Sequence, residues 1–326
     1  MISTPLCALL DIEAPIICAP FGPWDQVDLA AAVCEAGALG SLGTAIRPVE
    51  DLRRQWERLR SLTDRPFAIN HTARPFDEEA FAATLAERPA AVSFHLAVPE
   101  ELIARTHAAG ILWIQQVTTL AEARAALAAG ADVIVAQGGE AGGNSGSVGA
   151  VVLVPQIVDA AGATPVVAAG GIADGRGLAA ALALGAQGVS MGTRFLATTE
   201  MQIAEEWKRR IVAADAVDAV KVENVDLIMP PYTFDGFSTQ PRALDTALIQ
   251  ELRQQPGVVG SRSNEVATEL LAAFLDGRGH EYLPLTGQSA GLVDEVLPAA
   301  EIVRRTVEQA ESILASLRTA SSPATA

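Results

Sequence analysis

Gly170 and Gly171, followed about twenty residues later by Gly192 and Thr193, each close a short apolar run. The stretch TPVVAAGGIADGRGLAAALALGAQGVSMGTRF (164–195) gives a strand-like run, a glycine turn, an alanine-rich segment of helical period, then a second run and turn. Glycine has no Cβ to hold an anion away, so N–H groups at two neighbouring strand ends can together bind a phosphate. In a (β/α)8 barrel the loops after strands seven and eight form such a site. For a single glycine pair a tight turn is the commoner explanation; two at this spacing favour the phosphate.

A second glycine-rich segment, QGGEAGGNSG, runs from Gln137 to Gly146 after the apolar run 131–136. Its backbone can take positive φ and so wrap a planar ligand or approach a phosphate, and Gln137 and Gly143 count among the expected cofactor contacts. Glu140 admits two roles, a base or a tie to backbone N–H groups, of which the tie is the more ordinary. Asn144 can donate and accept hydrogen bonds but takes no proton near neutral pH, so it can orient a substrate and not deprotonate one.

These segments need a scaffold. Apolar runs at 14–19, 38–42, 66–70, 90–94, 111–116 and 131–136 resemble strands, and with 164–169 and 187–191 they make eight. Amphipathic stretches near 25–36, 48–62, 77–87, 98–108 and 119–129 lie between them. This alternation predicts an α/β fold, a TIM (β/α)8 barrel. An open doubly wound sheet is the alternative, but no GxGxxG follows the first run. From about 213 to 290 the sequence turns to prolines, aromatics and two helical stretches, which predicts a smaller helical cap inserted after strand eight. Residues 1–212 and 291–326 are then the barrel, with an amphipathic helix over 294–317 packed back on it and a disordered SSPATA tail.

Active sites in such barrels sit at the carboxyl ends of the strands. That rule selects Ala19, Pro20 and Phe21, then Asn70 and His71, His95, Gln115 and Gln116, and Gln137 onward. His71 and His95 titrate near working pH and are candidate bases, although a hydrogen-bonded structural histidine is the commoner case. His107 and His280 receive no role.

The chain has 326 residues, is half hydrophobic, and carries a formal charge of −16, with a pI near 4.7. That charge disfavours nucleic acid and anionic membranes as partners and leaves a small-molecule substrate, with a monomer or homodimer as the expected assembly. Cys7, Cys18 and Cys34 lack the spacing of a zinc or redox site, so no metal is expected. The amino terminus lacks a basic flank and no apolar run reaches transmembrane length, which predicts a cytoplasmic protein.

Taken together, APIICAP, PFAIN, QGGEAGGNSG, AAGGIADGRG, MGTRF and GQSAGLVDEVLPAAEIV make a chain that resembles, over nearly its whole length, the nitronate monooxygenase (2-nitropropane dioxygenase) family, which includes the flavin-type enoyl-acyl carrier protein reductases. The resemblance implies non-covalent FMN, with its phosphate on Gly170, Gly171, Gly192 and Thr193, Asn70 near the flavin ring and Ala19, Pro20 and Phe21 beneath it. Gln116 falls where relatives carry a lysine or another polar group. The implied activity is oxidation of an alkyl nitronate or similar stabilised carbanion with oxygen. The alternatives are NAD(P)H-dependent reduction of an activated alkene or quinone, a flavin-binding protein without catalysis, and a phosphate-handling barrel enzyme with no flavin.

One position departs from the family. Its best known members read GGH where this chain reads GGN, and that histidine is their expected base; Asn144 therefore predicts use of nitronates over neutral nitroalkanes. Trp113, Tyr232, Phe234 and Phe237 are candidates to line a pocket between barrel and cap, and Lys221 and Arg242 to bind an anionic substrate, each with plain packing or a solvated charge as the ordinary explanation.

Overall fold

The eight apolar runs become eight parallel strands in a computed structural model that describes residues 2–320 apart from 23, 75, 230–232 and 235–236. They are β1 (Ile16–Cys18), β2 (Gly40–Gly43), β3 (Phe67–Thr72), β4 (Ala91–His95), β5 (Leu112–Val117), β6 (Val133–Gln137), β8 (Val166–Ala169) and β9 (Gly188–Met191); β7 (Gly143–Ser145) belongs elsewhere. Hydrogen bonding runs in the order β1-β9-β8-β6-β5-β4-β3-β2. The ring closes at Leu39, which bridges Ile17; Cys18 N–H donates to the Leu39 carbonyl (2.9 Å) and Leu39 N–H to that of Ile16 (3.0 Å).

Helices α2 (Val27–Glu35), α3 (Val49–Leu62), α4 (Glu78–Glu87), α5 (Glu100–Ala108), α6 (Leu120–Ala128), α7 (Ala150–Ala161) and α8 (Gly175–Ala183) form the outer layer. Asp77, Thr119 and Asp174 accept from free N–H groups at the starts of α4, α6 and α8, which fixes where those helices begin. A short helix that periodicity did not reveal, α1 (Pro5–Leu10), plugs the amino-terminal end. Its Leu6, Cys7 and Leu10 pack with the inward-facing Ala91, Val133 and Val167, so Cys7 is a core residue. The outward faces of the strands, including Phe94, Trp113 and Ile134, pack under the helices as the main core. With its base filled, the barrel is open to a ligand only at the carboxyl ends of its strands.

After β9 come α9 (Thr193–Leu196) and α10 (Glu205–Ala213). Beyond them lie β10 (Ala219–Lys221), β11 (Thr233–Phe234), β12 (Phe237–Ser238), β13 (Gln240–Leu244), α11 (Ala247–Gln254), α12 (Pro256–Ser261) and α13 (Ser263–Leu275). Val222, Ile249, Leu252, Val266, Leu270 and Leu283 share a separate core here. Alongside the helices stands an antiparallel sheet in the order β10-β13-β7, whose third strand is lent by the glycine-rich loop after β6. The last helix, α14 (Ala299–Ala320), lies against α8 and α2, and its Gln309 accepts from Gly175 N–H at 2.8 Å. The SSPATA tail and Tyr232 lie outside the described residues. Among those residues no helix is long and apolar enough to cross a membrane.

Candidate active site

Strand parity decides which strand-end residues face the barrel axis, because successive side chains point to opposite faces. Pro20, Asn70, Ser93, Gln116 and Ser190 line one small internal cavity of about 20 Å3. Asn70 facing inward forces His71 outward, and Gln116 inward forces Gln115 outward. Gln115 is buried, donating to the carbonyls of Phe94 (3.2 Å) and Ala97 (2.9 Å) and accepting from Trp113 Nε1 (3.0 Å). Trp113 itself stacks on Phe94 at 5.3 Å between sheet and helices, so it lines no pocket between barrel and cap.

His71 is corrected from candidate base to structural bolt. Its Nε2 lies 2.9 Å from Thr84 Oγ1 and its Nδ1 3.2 Å from Thr44 Oγ1. The Thr84 and Thr44 hydroxyls also reach the Ala80 and Asn70 carbonyls, each at 2.9 Å, so the neutral ring donates to one threonine and accepts from the other. The ring meets Phe81 edge-on at 5.4 Å, and burial holds its pKa at about 4. His95 differs. It shares the inner face of β4 with Ser93, lies across the ladder from Thr72, and has no side-chain hydrogen-bond partner among the described residues. Burial lowers its pKa to about 4, so the imidazole is neutral at pH 7 and weakly basic.

At the carboxyl ends of other strands several polar groups lack a partner among the described residues. Gln137 is buried on the inner face at the end of β6, and its Oε1 has no hydrogen-bond partner. Gly170 and Gly171 take φ of +95° and +72°, which turns their amides out of the strand direction. Among the described residues no acceptor takes the N–H groups of Gly170, Gly171 or Gly192. A Cβ built on Gly192 would reach only the Ala19 methyl (3.6 Å) and the Phe21 ring (3.8 Å), so Ala19 and Phe21 share its space. Asn70 Nδ2 donates to the Ser93 carbonyl (3.2 Å) and hydroxyl (3.0 Å). A carbonyl only accepts, so this contact fixes the amide's orientation and leaves Oδ1 as its open atom. A group with a terminal phosphate and a flat polar ring fits this donor and acceptor set.

The glycine-rich loop is fastened on several sides. Glu140 is a tie: both its carboxylate oxygens accept from Ala150 N–H, at 3.0 and 3.1 Å, where α7 begins. Arg242 donates to the Gly139 carbonyl from Nη2 (2.9 Å) and Nε (3.2 Å). Thr193 Oγ1 accepts from Gly287 N–H at 2.8 Å, joining the second glycine turn to the returning chain. Arg194, unread in the sequence, is buried one residue on and donates to the Ala197 carbonyl (3.0 Å) and to that of Glu295.

Cross-strand partners share a face of the cap sheet. Lys221 pairs with Arg242, Arg242 with Gly143 and Gln240 with Ser145, whereas Asn144 pairs with Pro241. Lys221, Arg242, Gln240 and Ser145 therefore lie on one face, against a polar cavity of about 650 Å3, and Asn144 lies on the other. The two cations, candidates to bind an anionic substrate, line that polar cavity and do not share a face with Asn144. Burial, and the Arg242 charge beside it, pull the Lys221 pKa down to about 8.

The family model described as nitronate monooxygenase matches residues 3–80 and 72–309. A curated Mycobacterium tuberculosis protein is 36% identical over 82% of this chain and 72% of its own length. It is named (3aS,4S,5R,7aS)-5-hydroxy-7a-methyl-1-oxo-octahydro-1H-indene-4-carboxyl-CoA dehydrogenase. A Pseudomonas aeruginosa protein named nitronate monooxygenase is 35% identical over 92% of this chain and 97% of its own. The solved structure of FabK from Thermotoga maritima superposes with a TM-score of 0.87 at 33% identity, covering 98% of this chain and 99% of that one. With the barrel, the two glycine turns and the glycine-rich loop in the positions the family model spans, this chain belongs to the nitronate monooxygenase family of flavin-dependent oxidoreductases.

Proposed function

We propose that this chain binds FMN at the carboxyl end of the barrel and oxidises an alkyl nitronate or a similarly stabilised carbanion, with dioxygen as final acceptor. The observation that supports this most directly is the unpartnered Oε1 of buried Gln137, set in the same barrel end as the open amides of Gly170, Gly171 and Gly192. A buried oxygen without a partner costs about 1–3 kcal/mol, which a bound donor would relieve.

In this reading the phosphate lies on the amides of Gly170, Gly171, Gly192 and Thr193. Pro20 and Phe21 keep water from one side of the ring, Asn70 offers an acceptor, and Gln116 and Gln137 offer amides that donate or accept. Bound there, FMN supplies a two-electron acceptor that can hand electrons on to oxygen. Neither side chain in reach is a strong base: Asn144 has no basic atom, and the His95 imidazole has a pKa of about 4. Removal of a proton from carbon is then poorly supported, and a substrate that arrives already ionised is favoured.

The test is an absorption spectrum of the purified protein with added FMN, followed by anaerobic titration with an alkyl nitronate. Flavin absorbance that bleaches on titration agrees with the proposal; a protein that gains no flavin spectrum refutes it. A second reading, flavin-linked oxidation or reduction of a CoA thioester, is favoured by the name of the mycobacterial relative. Bleaching by a CoA thioester or by NAD(P)H, without bleaching by the nitronate, would select it.

A further inference from the structure

We propose that Lys221 is a positioning residue: it staples the strand that carries Asn144 to the cap and so holds that side chain in register with the flavin site. The inference rests on the FMN reading for its catalytic consequence, and on geometry alone for the staple.

Four oxygens converge on one Nζ. They are the Ser145 carbonyl (2.8 Å), the Ser145 hydroxyl (2.6 Å), the Gly146 carbonyl (2.9 Å) and the Gln240 carbonyl (3.0 Å). The Ser145 hydroxyl donates its own hydrogen to the Ala141 carbonyl (3.0 Å), so it meets Nζ as an acceptor. An ammonium has three protons, and these four oxygens share them. Three of the oxygens belong to the loop after β6 and one to β13. Ser145 and Gly146 directly follow Asn144, and among the described residues no carboxylate pairs with the ammonium. Lys221 is thus not a solvated surface charge.

The other fasteners of this loop lie elsewhere along it. Arg242 holds Gly139, and Glu140 holds the start of α7. The ladder between β7 and β13 spans three residues. With Asn144 on the opposite face of that sheet from Ser145, the direction of its carboxamide follows the pose of this short strand. Loss of the charge-assisted bonds on the Ser145 side frees the strand to tilt without unfolding the barrel.

The experiment compares full-length wild type, Lys221→Met and Lys221→Arg by hydrogen–deuterium exchange, FMN affinity and turnover of ethyl nitronate. In Lys221→Met, exchange over 143–147 is expected to rise about tenfold, with exchange over 166–171 and the FMN dissociation constant within about twofold of wild type. Turnover at saturating nitronate should fall about tenfold, and Lys221→Arg should restore part of both. Unchanged exchange over 143–147 would overturn the staple. Raised exchange with unchanged turnover would overturn the positioning role, and an equal rise at 166–171 would reduce Lys221 to a general stabiliser. A wild type that nitronate fails to reduce would sink the functional reading alone, because exchange still judges the staple.

Discussion

Gly142 and Gly287 lie back to back across the junction of barrel and cap: a Cβ on Gly142 would come within 2.5 Å of Gly287 N, and one on Gly287 within 2.7 Å of Gly142 N. Three chain segments depend on this contact. Gly287 N–H donates to Thr193 at the second glycine turn, and Gln288 N–H donates to the Glu140 carbonyl of the loop after β6 (2.9 Å). Replacing either glycine with alanine must push two backbones apart, and no flexible side-chain end is there to yield. We expect Gly142→Ala and Gly287→Ala each to cost about 1–3 kcal/mol. FMN binding should weaken too, because Thr193 moves with Gly287. Urea denaturation with and without FMN measures both effects; a variant as stable as wild type would contradict the contact.

The first glycine turn fails for a different reason. Gly171 has room, since its added Cβ would sit 3.5 Å from that of Glu140, an ordinary contact. Its φ of +72° is the obstacle. Alanine there is expected to cost about 1 kcal/mol and to swing the amide away, raising the FMN dissociation constant about tenfold. Fluorescence quenching on FMN titration reads the change. An unaltered affinity would place the phosphate elsewhere.

His71 makes the folded state sensitive to acid. Its imidazole is held at about 4, against 6.5 when exposed, so between these values the unfolded chain binds the proton that the folded chain refuses. The stability this residue contributes is complete above pH 6.5 and is lost as pH falls towards 4. From pH 7 to 5 the loss is on the order of 2 kcal/mol. His95, held equally low, adds a loss in the same window, so the informative quantity is the difference between wild type and His71→Gln. The variant keeps a side chain that both donates and accepts and should lose less stability on acidification; equal losses would show that His71 is not the sensor.

Much of this was legible in the residues, and the failures have physical causes. All eight strand runs and both glycine turns follow from local patterns, apolar period and the need for φ above zero. His71 and Gln115 were misplaced although the signal was present: once Asn70 and Gln116 face the axis, alternation sends their neighbours outward. Helix α7 was hidden by Pro155 in its interior. The strand β7 and the Lys221 staple were out of reach for another reason. They depend on residues 145, 221 and 240 meeting across the cap, and no local period encodes a register between segments so far apart.

Asn144 offers the sharpest test of the chemistry. It stands half-buried on the face of the cap sheet opposite Lys221, in the register opposite Pro241, and it lacks an atom that takes a proton near pH 7. If the wild type depends on an already ionised substrate, anaerobic flavin reduction by an alkyl nitronate should be fast and reduction by the parent nitroalkane slow at equal concentration. Asn144→His supplies an imidazole at the same point. A positioned general base is worth about a hundredfold or more, so the variant should gain at least about tenfold on the neutral nitroalkane, even with imperfect placement, and little on the nitronate. That gain should grow with pH through the range where the new imidazole loses its proton, near 6.5 if unperturbed. Fast reduction of the wild type by neutral nitroalkane would mean that another group removes the proton. His95→Ala would then ask whether a weakly basic imidazole on the inner face of β4 suffices, and a rate that survives that change would show that the base is not His95.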